Sequence, residues 1–221
     1  MMSVRNGLGL IGLAALATAS VPSALVAAPA QQAAATSQQA DLARVASYIR
    51  AVKSLKADFS QTDRNGQTLT GKLTLKQPGK IRFQYGQGVP MLIIGDGKAL
   101  TLIDYEVRQV QRWPIGSSPL GALIDPSRDF TKFSKVVQTG DPNVLAVEAH
   151  DPKRPEFGTI TLVFNRKKSA PAGLDLYGWV ARDAQGSRTA VRLSSQAYNV
   201  AVDDSAFRWR DPRQTTKRPG G

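Results

Sequence analysis

Hydrophobic and polar residues alternate through the stretch from residue 71 to residue 85. The apolar members of this alternation are Leu73, Leu75, Ile81, Phe83 and Tyr85. Period-two alternation is typical of a β-strand with one apolar face and one hydrated face. The pair Pro78-Gly79 interrupts the pattern and predicts a turn, so the stretch is predicted to be a β-hairpin. Either protein or a ligand must cover its apolar face.

Similar short runs follow one another along most of the chain. They predict strands over residues 55–61, 69–76, 80–85, 91–94, 99–103, 108–113, 135–138, 144–149, 159–165, 173–180 and 189–198. Turn sequences such as Asn65-Gly66 and Gly95-Asp96-Gly97 separate neighbouring runs. About ten strands at this spacing are typical of an antiparallel sandwich or barrel.

Two segments have the helical period instead. Leu42, Val45, Ile49 and Val52 form one apolar stripe of a helix predicted over residues 38–52. A short second helix is predicted after Ser117-Ser118-Pro119, because serine caps a helix and proline suits its first turn. Its apolar residues are Leu120, Leu123 and Ile124.

These elements predict a mainly β (α+β) fold, in which an unclosed antiparallel β-barrel or strongly curved sheet carries helices on its concave face. The predicted domain covers residues 38–207. An Ala- and Gln-rich leader over residues 31–37 and a basic, proline-containing tail over residues 208–221 are predicted to be flexible.

Residues 1–30 are predicted to be an export signal. Arg5 precedes an apolar run from Leu8 to Ala19 that is short for a membrane span. Ala28-Pro29-Ala30 has the small-x-small form of a signal-peptidase site, so we predict cleavage after Ala30 and export to the periplasm. A retained membrane anchor is the alternative that the short run disfavours.

The amino-acid composition argues against several kinds of function. The formal net charge of +12 favours an anionic partner or simply keeps the protein soluble. Nucleic-acid binding is not predicted, because alternation sends basic and aromatic side chains to opposite faces, whereas a stacking platform needs both on one face. With no cysteine and one histidine, the usual nitrogen and sulfur ligands of a transition metal are missing, and no metal or cofactor is predicted.

Signals of catalysis are weak, and the protein is not predicted to be an enzyme. The one histidine, His150, stands at a predicted strand end, where a surface or capping role is commoner than a base. The sequence has no nucleophile elbow, phosphate loop or dinucleotide fingerprint. A hydrolase is a lesser alternative that an active His150→Ala variant would remove.

The apolar sheet face is therefore the strongest functional lead. It is either an ordinary core filled by the helices or the lining of a partly open interior that holds an apolar ligand. The candidate lipid-binding residues on this face are Phe59, Leu73, Leu75, Ile81, Phe83, Tyr85, Met91, Ile93, Leu100 and Leu102.

Several stretches together carry a family resemblance. They are Leu55-Lys56-Ala57-Asp58-Phe59-Ser60-Gln61, Gly71-Lys72-Leu73, Lys76-Gln77-Pro78-Gly79-Lys80-Ile81-Arg82-Phe83, Ile94-Gly95-Asp96-Gly97-Lys98 and Ser118-Pro119-Leu120. Over residues 41–212 the chain resembles the periplasmic outer-membrane lipoprotein carrier (LolA-like) family. No single motif is diagnostic, and the combination carries the resemblance.

The resemblance implies a monomeric carrier with an unclosed β-barrel and a helical lid. Such carriers accept acylated lipoproteins from an inner-membrane release complex, shield the acyl chains and pass them to an outer-membrane acceptor. It implies that Ile81 and Phe83 line the wall and that Leu120, Leu123 and Ile124 form the lid. The family usually has arginine before the Pro-Gly turn, where it helps to latch the lid; here Gln77 stands there as an uncharged candidate latch.

Two alternatives to the lipoprotein carrier stay open. One is a carrier or sensor of another lipid, such as a glycolipid or a free acyl chain. The other is a module that docks protein partners through its basic face and buries no lipid. The role of outer-membrane acceptor is disfavoured, because that protein is normally anchored through a cysteine and the chain has none.

Overall fold

The computed structural model describes residues 29–114, 121, 129–152 and 155–213. Within these ranges one long helix, α1 (Pro29–Ala51), precedes the strands. The strands are β1 (Ser54–Thr62), β2 (Thr68–Lys76), β3 (Lys80–Tyr85), β4 (Met91–Asp96), β5 (Ala99–Asp104), β6 (Gln109–Pro114), β7 (Ser134–Val137), β8 (Val144–Ala149), β9 (Thr159–Arg166), β10 (Leu174–Arg182) and β11 (Arg188–Tyr198).

The strands form one antiparallel sheet in the order β6-β5-β4-β3-β2-β1-β11-β10-β9-β8-β7. Most neighbours in the sheet are also neighbours in the chain, and the pairing of β1 with β11 joins its two halves. Strands β6 and β7 stand at opposite ends of this order, so the sheet is not closed into a barrel. The predicted fold class, mainly β with an unclosed antiparallel sheet, is confirmed.

The sheet is strongly curved. The rings of Phe83 on β3 and Trp179 on β10 lie with their centroids 6.1 Å apart. These strands are four positions apart in the sheet order, which in a flat sheet corresponds to about 19 Å at the usual strand spacing. The face that carries both rings must therefore be concave, and we call it the inner face.

Helix α1 packs its apolar stripe on the half of the inner face formed by β7 to β10. Tyr48 is buried there, with its ring edge-on to Phe164 at a centroid distance of 5.0 Å. Asp41 fixes the helix by a bidentate ion pair with Arg166 on β9, at 2.7 and 2.9 Å. Because this pair is half-buried and has two hydrogen bonds in a fixed geometry, it contributes more than an exposed ion pair.

The start of the predicted domain differs from the structure. Helix α1 begins at Pro29, so it includes residues 31–37, the segment predicted to be a leader. The segment is rich in alanine, the residue with the highest helix propensity, and needs no apolar stripe to continue the helix. The predicted export signal lies, apart from its last two residues, outside the described part of the chain. No helix in the described ranges is long and apolar enough to cross a membrane.

Residues 199–213, which we call the C-terminal strap, run across the outer face of the sheet. The amide of Asn199 donates to the carbonyl oxygen of Ser54 at 2.8 Å, and Asp204 pairs with Lys76 and Lys80 at 2.7 and 2.8 Å. Arg82 on β3 donates to the strap carbonyl oxygens of residues 206 and 208, each at 3.1 Å.

Beyond those contacts, the strap covers a second apolar cluster on the outer face. Trp209 packs against Leu92 and Ile94 of β4 and Ile103 of β5. The contacts with the sheet therefore extend past residue 207, the predicted end of the domain, and packing the indole on the apolar patch removes hydrophobic surface from water.

Candidate lipid-binding face

The ten candidate lipid-binding residues lie on one face, the inner face. Cross-strand register brings them together: Leu73 pairs with Phe83, Phe83 with Ile93, and Ile93 with Leu102. Paired residues in an antiparallel sheet project to the same side, so this row continues across four strands. Seven of the ten are buried, namely Phe59, Leu73, Leu75, Ile81, Phe83, Tyr85 and Leu100. The remaining three, Met91, Ile93 and Leu102, are half-buried.

An aromatic cluster forms the floor of this face. The ring of Phe59 meets Phe83 edge-on at 5.3 Å and Tyr85 at 5.2 Å between centroids. Gly71 lies opposite Phe59 in the sheet, and a Cβ placed there would come within 2.7 Å of the Phe59 ring and 2.1 Å of a backbone oxygen. Any larger residue at this position would collide with the Phe59 ring, so only glycine lets the ring lie flat against the strand.

The polar atoms of this floor are few and uncharged. The hydroxyl of Tyr85 donates to Oε1 of Gln61 at 2.9 Å. Burial raises the pKa of Tyr85 to about 12, so the phenol stays neutral at physiological pH. None of the ten candidate side chains is ionised, so the face offers a hydrocarbon chain an apolar wall without an unpaired charge.

The inner face is only partly covered at its β4–β6 end. Met91, Ile93, Leu102 and Trp113 are half-buried there, and we call these four residues the open inner face. Helix α1 does not cover them, because it packs on the opposite half of the sheet. Half-buried apolar side chains that adjoin a fully buried core are the surface that an apolar ligand would complete.

Sequence reasoning missed Trp179, which is buried on the inner face and completes the aromatic floor beside Phe83. Strict alternation from Leu174 and Leu176 would turn Trp179 outward. The register shifts between Leu176 and Gly178, and after this bulge Trp179 pairs with Leu162 and faces inward. The residue type is the one signal in the sequence that Trp179 faces inward, because a tryptophan on the outer face of the strand would expose a large apolar ring to water.

The three predicted lid residues, Leu120, Leu123 and Ile124, lie outside the described part of the chain. Gln77, the candidate latch, lies in the turn between β2 and β3, and its backbone N–H donates to the carbonyl oxygen of Lys53 at 2.8 Å. Its side-chain oxygen Oε1 is buried and accepts no hydrogen bond.

His150 lies away from the inner face. Its ring is exposed, and Nδ1 lies 3.0 Å from the carbonyl oxygen of Gly158. This contact joins the two ends of the connection between β8 and β9. Among the described residues, no group of three or more acidic or histidine side chains is placed to bind a metal ion.

Comparison with known families matches residues 50–210 to the family model described as outer membrane lipoprotein carrier protein LolA. The match spans β1 to the strap and so includes every strand of the inner face. The chain belongs to the LolA family.

One relative that is 30% identical over most of its length supports this assignment, and two further similarities accompany it. The chain is 30% identical to an outer-membrane lipoprotein carrier protein of Chromobacterium violaceum over 205 residues, which are 89% of this chain and 92% of the relative. It is 29% identical to the protein of that name from Dechloromonas aromatica, over 75% of this chain and 81% of the relative. A crystal structure of a LolA superfamily protein from Nitrosomonas europaea aligns with a TM-score of 0.44 and 13% identity, over 78% of this chain and 97% of that one.

Proposed function

We propose that this protein is a periplasmic carrier, which binds the acyl chains of lipoproteins on the open inner face and carries them from the inner to the outer membrane. The observation that supports the proposal best is an uncharged, half-covered apolar surface on the concave side of a LolA-family sheet. The proposal includes no catalytic step, metal or cofactor.

The half-buried residues are arranged in a way that suits a hydrocarbon chain. Ile93 and Leu102 are cross-strand partners, and Trp113 pairs with Leu100 one row along the sheet. Together with the rigid aromatic floor, they provide a continuous strip across β4, β5 and β6. An acyl chain laid on the strip would be shielded on one side by the curved sheet.

The energetics favour a covered but reversible site. Burying an acyl chain contributes about 0.8 kcal/mol per CH₂, so about a dozen groups contribute on the order of 10 kcal/mol. A carrier that kept all of this free energy would not release its cargo. We propose that, in the absence of cargo, Leu120, Leu123 and Ile124 close over the apolar face. Cargo displaces these residues, and the cost of exposing them to water offsets part of the free energy gained by burying the acyl chain.

The lid assignment has its own test. Leu123→Asp places a charge where the proposal needs an apolar contact, so it should weaken closure and change cargo transfer. If the variant transfers an acylated lipoprotein at the wild-type rate, residues 120–124 are not the lid.

The names of the relatives support a carrier role, and the route and the partners proposed here extend it. The relatives are called outer-membrane lipoprotein carriers. We propose the same task here, with an inner-membrane release complex as donor, an outer-membrane acceptor as recipient and export by the N-terminal signal. The carrier is proposed to act as a monomer.

Native mass spectrometry with lipid extraction tests the proposal on the full chain, exported and purified from a periplasm. The expected result is a complex with an acylated lipoprotein. Another co-purifying lipid would replace lipoprotein as the cargo. Absence of lipid, together with no uptake of a fluorescent fatty acid, would contradict a carrier and favour a protein-docking module.

A further inference from the structure

Gln77 holds an unpaired hydrogen-bond acceptor at one end of the inner face. In the described part of the chain, two side-chain polar atoms are buried without a hydrogen-bond partner, Gln77 Oε1 and the Tyr48 hydroxyl. Tyr48 is fully buried between α1 and the sheet, whereas Gln77 as a residue is half-buried. Leaving a buried carbonyl oxygen unpaired costs about 1–3 kcal/mol, so such groups are rare unless something else pairs with them.

The position of Gln77 places this acceptor beside the lipid-binding face. It continues the alternation of Leu73 and Leu75, two buried members of that face. Leu75 pairs with Ile81, so the turn that holds Gln77 closes the apolar row at this end of the sheet. A ligand whose polar end lies at this end of the inner face would meet a neutral acceptor rather than a charge.

The backbone around Gln77 is fixed. Its N–H is used by the carbonyl oxygen of Lys53 at 2.8 Å. A Cβ on Gly79 would come within 2.5 Å of the Cα of Gly97, so the β2–β3 and β4–β5 turns are in direct contact. Only the side chain of Gln77 is left to adjust, and since Oε1 has no partner, its rotation towards a ligand breaks no hydrogen bond at that atom.

We infer that Gln77 selects cargo whose acyl chain is attached through an amide, by accepting a hydrogen bond from the amide N–H; the inference rests on the proposed lipid-carrier function. Acyl chains are joined to polar groups through esters, thioesters or amides, and of these linkages only the amide carries an N–H donor. An ester in the same place offers no N–H donor, so Oε1 would stay unpaired.

A matched pair of probes tests this directly. N-palmitoylalanine methyl ester and the palmitate ester of methyl lactate differ only by an N–H in place of an oxygen. The full-length mature protein is expected to bind the amide about five- to thirty-fold more tightly than the ester, the ratio that one recovered hydrogen bond provides. In Gln77→Leu this ratio is expected to fall to within about two-fold.

Two further variants keep the test decisive. Gln77→Met removes the acceptor with an unbranched side chain of similar length and should also lose the preference. Gln87→Leu makes the same chemical change at an exposed glutamine between β3 and β4, and should keep the wild-type ratio. Because the unbound protein gains nothing from the orphan acceptor, the urea midpoint of Gln77→Leu should be unchanged or raised.

The possible outcomes distinguish the role of Gln77 from the proposed carrier function on which it rests. Equal binding of amide and ester by the wild type, or a preference that survives in Gln77→Leu and Gln77→Met, overturns the role of Gln77 and leaves the carrier proposal standing. Failure of both probes to bind the wild type overturns the lipid-binding proposal itself, and the inference with it.

Discussion

Two neighbouring isoleucines provide the sharpest test of the face assignment. Ile93 and Ile94 are consecutive on β4 and point to opposite sides of the sheet. Ile93 belongs to the half-buried open inner face, whereas Ile94 is 2% exposed and packs beneath Trp209 in the outer cluster. The same substitution, to alanine, is therefore expected to have opposite consequences at the two positions.

The magnitudes follow from burial. Ile94→Ala empties a closed packing site, so it should lower the free energy of unfolding by about 2–4 kcal/mol. Ile93→Ala removes surface that is partly hydrated in the unbound protein, so its cost to stability should be about half as large or less. If an acyl chain covers Ile93, the lost methyl and methylene groups should weaken binding by about 1–2 kcal/mol, or about five- to thirty-fold in Kd.

Two measurements on the same samples separate the effects. Urea unfolding gives the stability change, and titration with a fluorescent palmitate analogue gives Kd under conditions where both variants are fully folded. The expected pattern is weak binding with near-normal stability for Ile93→Ala, and the reverse for Ile94→Ala. Equal losses of affinity in the two variants, or a larger loss in Ile94→Ala, would refute the assignment of the acyl site to the inner face.

Three further predictions concern the elements that hold the sheet. Trp209→Ala should cost about 1–3 kcal/mol of unfolding free energy, measured in urea, without changing palmitate affinity, because the indole covers the outer cluster. Hydrogen bonds from Lys76 and then Lys80 lower the pKa of Asp204 from 3.8 to about 2. The stabilisation from Asp204 is therefore complete above about pH 4 and is lost as the pH falls towards 2; an Asp204→Asn variant that shows the same acid-induced loss of stability as the wild type would contradict this linkage. Arg166→Lys should speed amide hydrogen exchange in α1 but not in the central strands, because lysine cannot form the bidentate pair with Asp41.

The strands were predictable because alternation and turn chemistry agree along most of the chain. The predicted bounds of β3 and β8 match the structure, and each of these strands adjoins a turn marked by proline, glycine or asparagine. In β3 the polar residues Lys80, Arg82 and Gln84 face outward while Ile81, Phe83 and Tyr85 face inward, so only one register buries the apolar set. The candidate wall residues fall on a common face for the same reason.

The strap could not be predicted from its own composition. Residues 208–213 are mostly charged, and Trp209 alone anchors them in the outer cluster. The signal lay instead in β4, where Met91, Leu92, Ile93 and Ile94 form a continuous apolar run. A strand that is apolar at every position is covered on both faces, so this run indicates that something must lie on the outside of the sheet.

The bulge in β10 shows another limit of pattern reasoning. A single extra residue reverses the facing of every later side chain in a strand, and alternation alone does not mark where it falls. Trp179 was therefore missing from the predicted wall. The start of α1 escaped prediction for a different reason, since an alanine-rich segment continues a helix by propensity and shows no stripe.

The central claim is that an acyl chain lies on the inner face at its β4–β6 end. The most direct test is a palmitate analogue with a photoreactive group in its chain, cross-linked to the mature protein and located residue by residue by fragmentation mass spectrometry. The account predicts labels on Ile93 and Leu102, displaced by unlabelled palmitate. Labels on their outward-facing neighbours Ile94 and Ile103 instead, or labelling that palmitate does not displace, would contradict it.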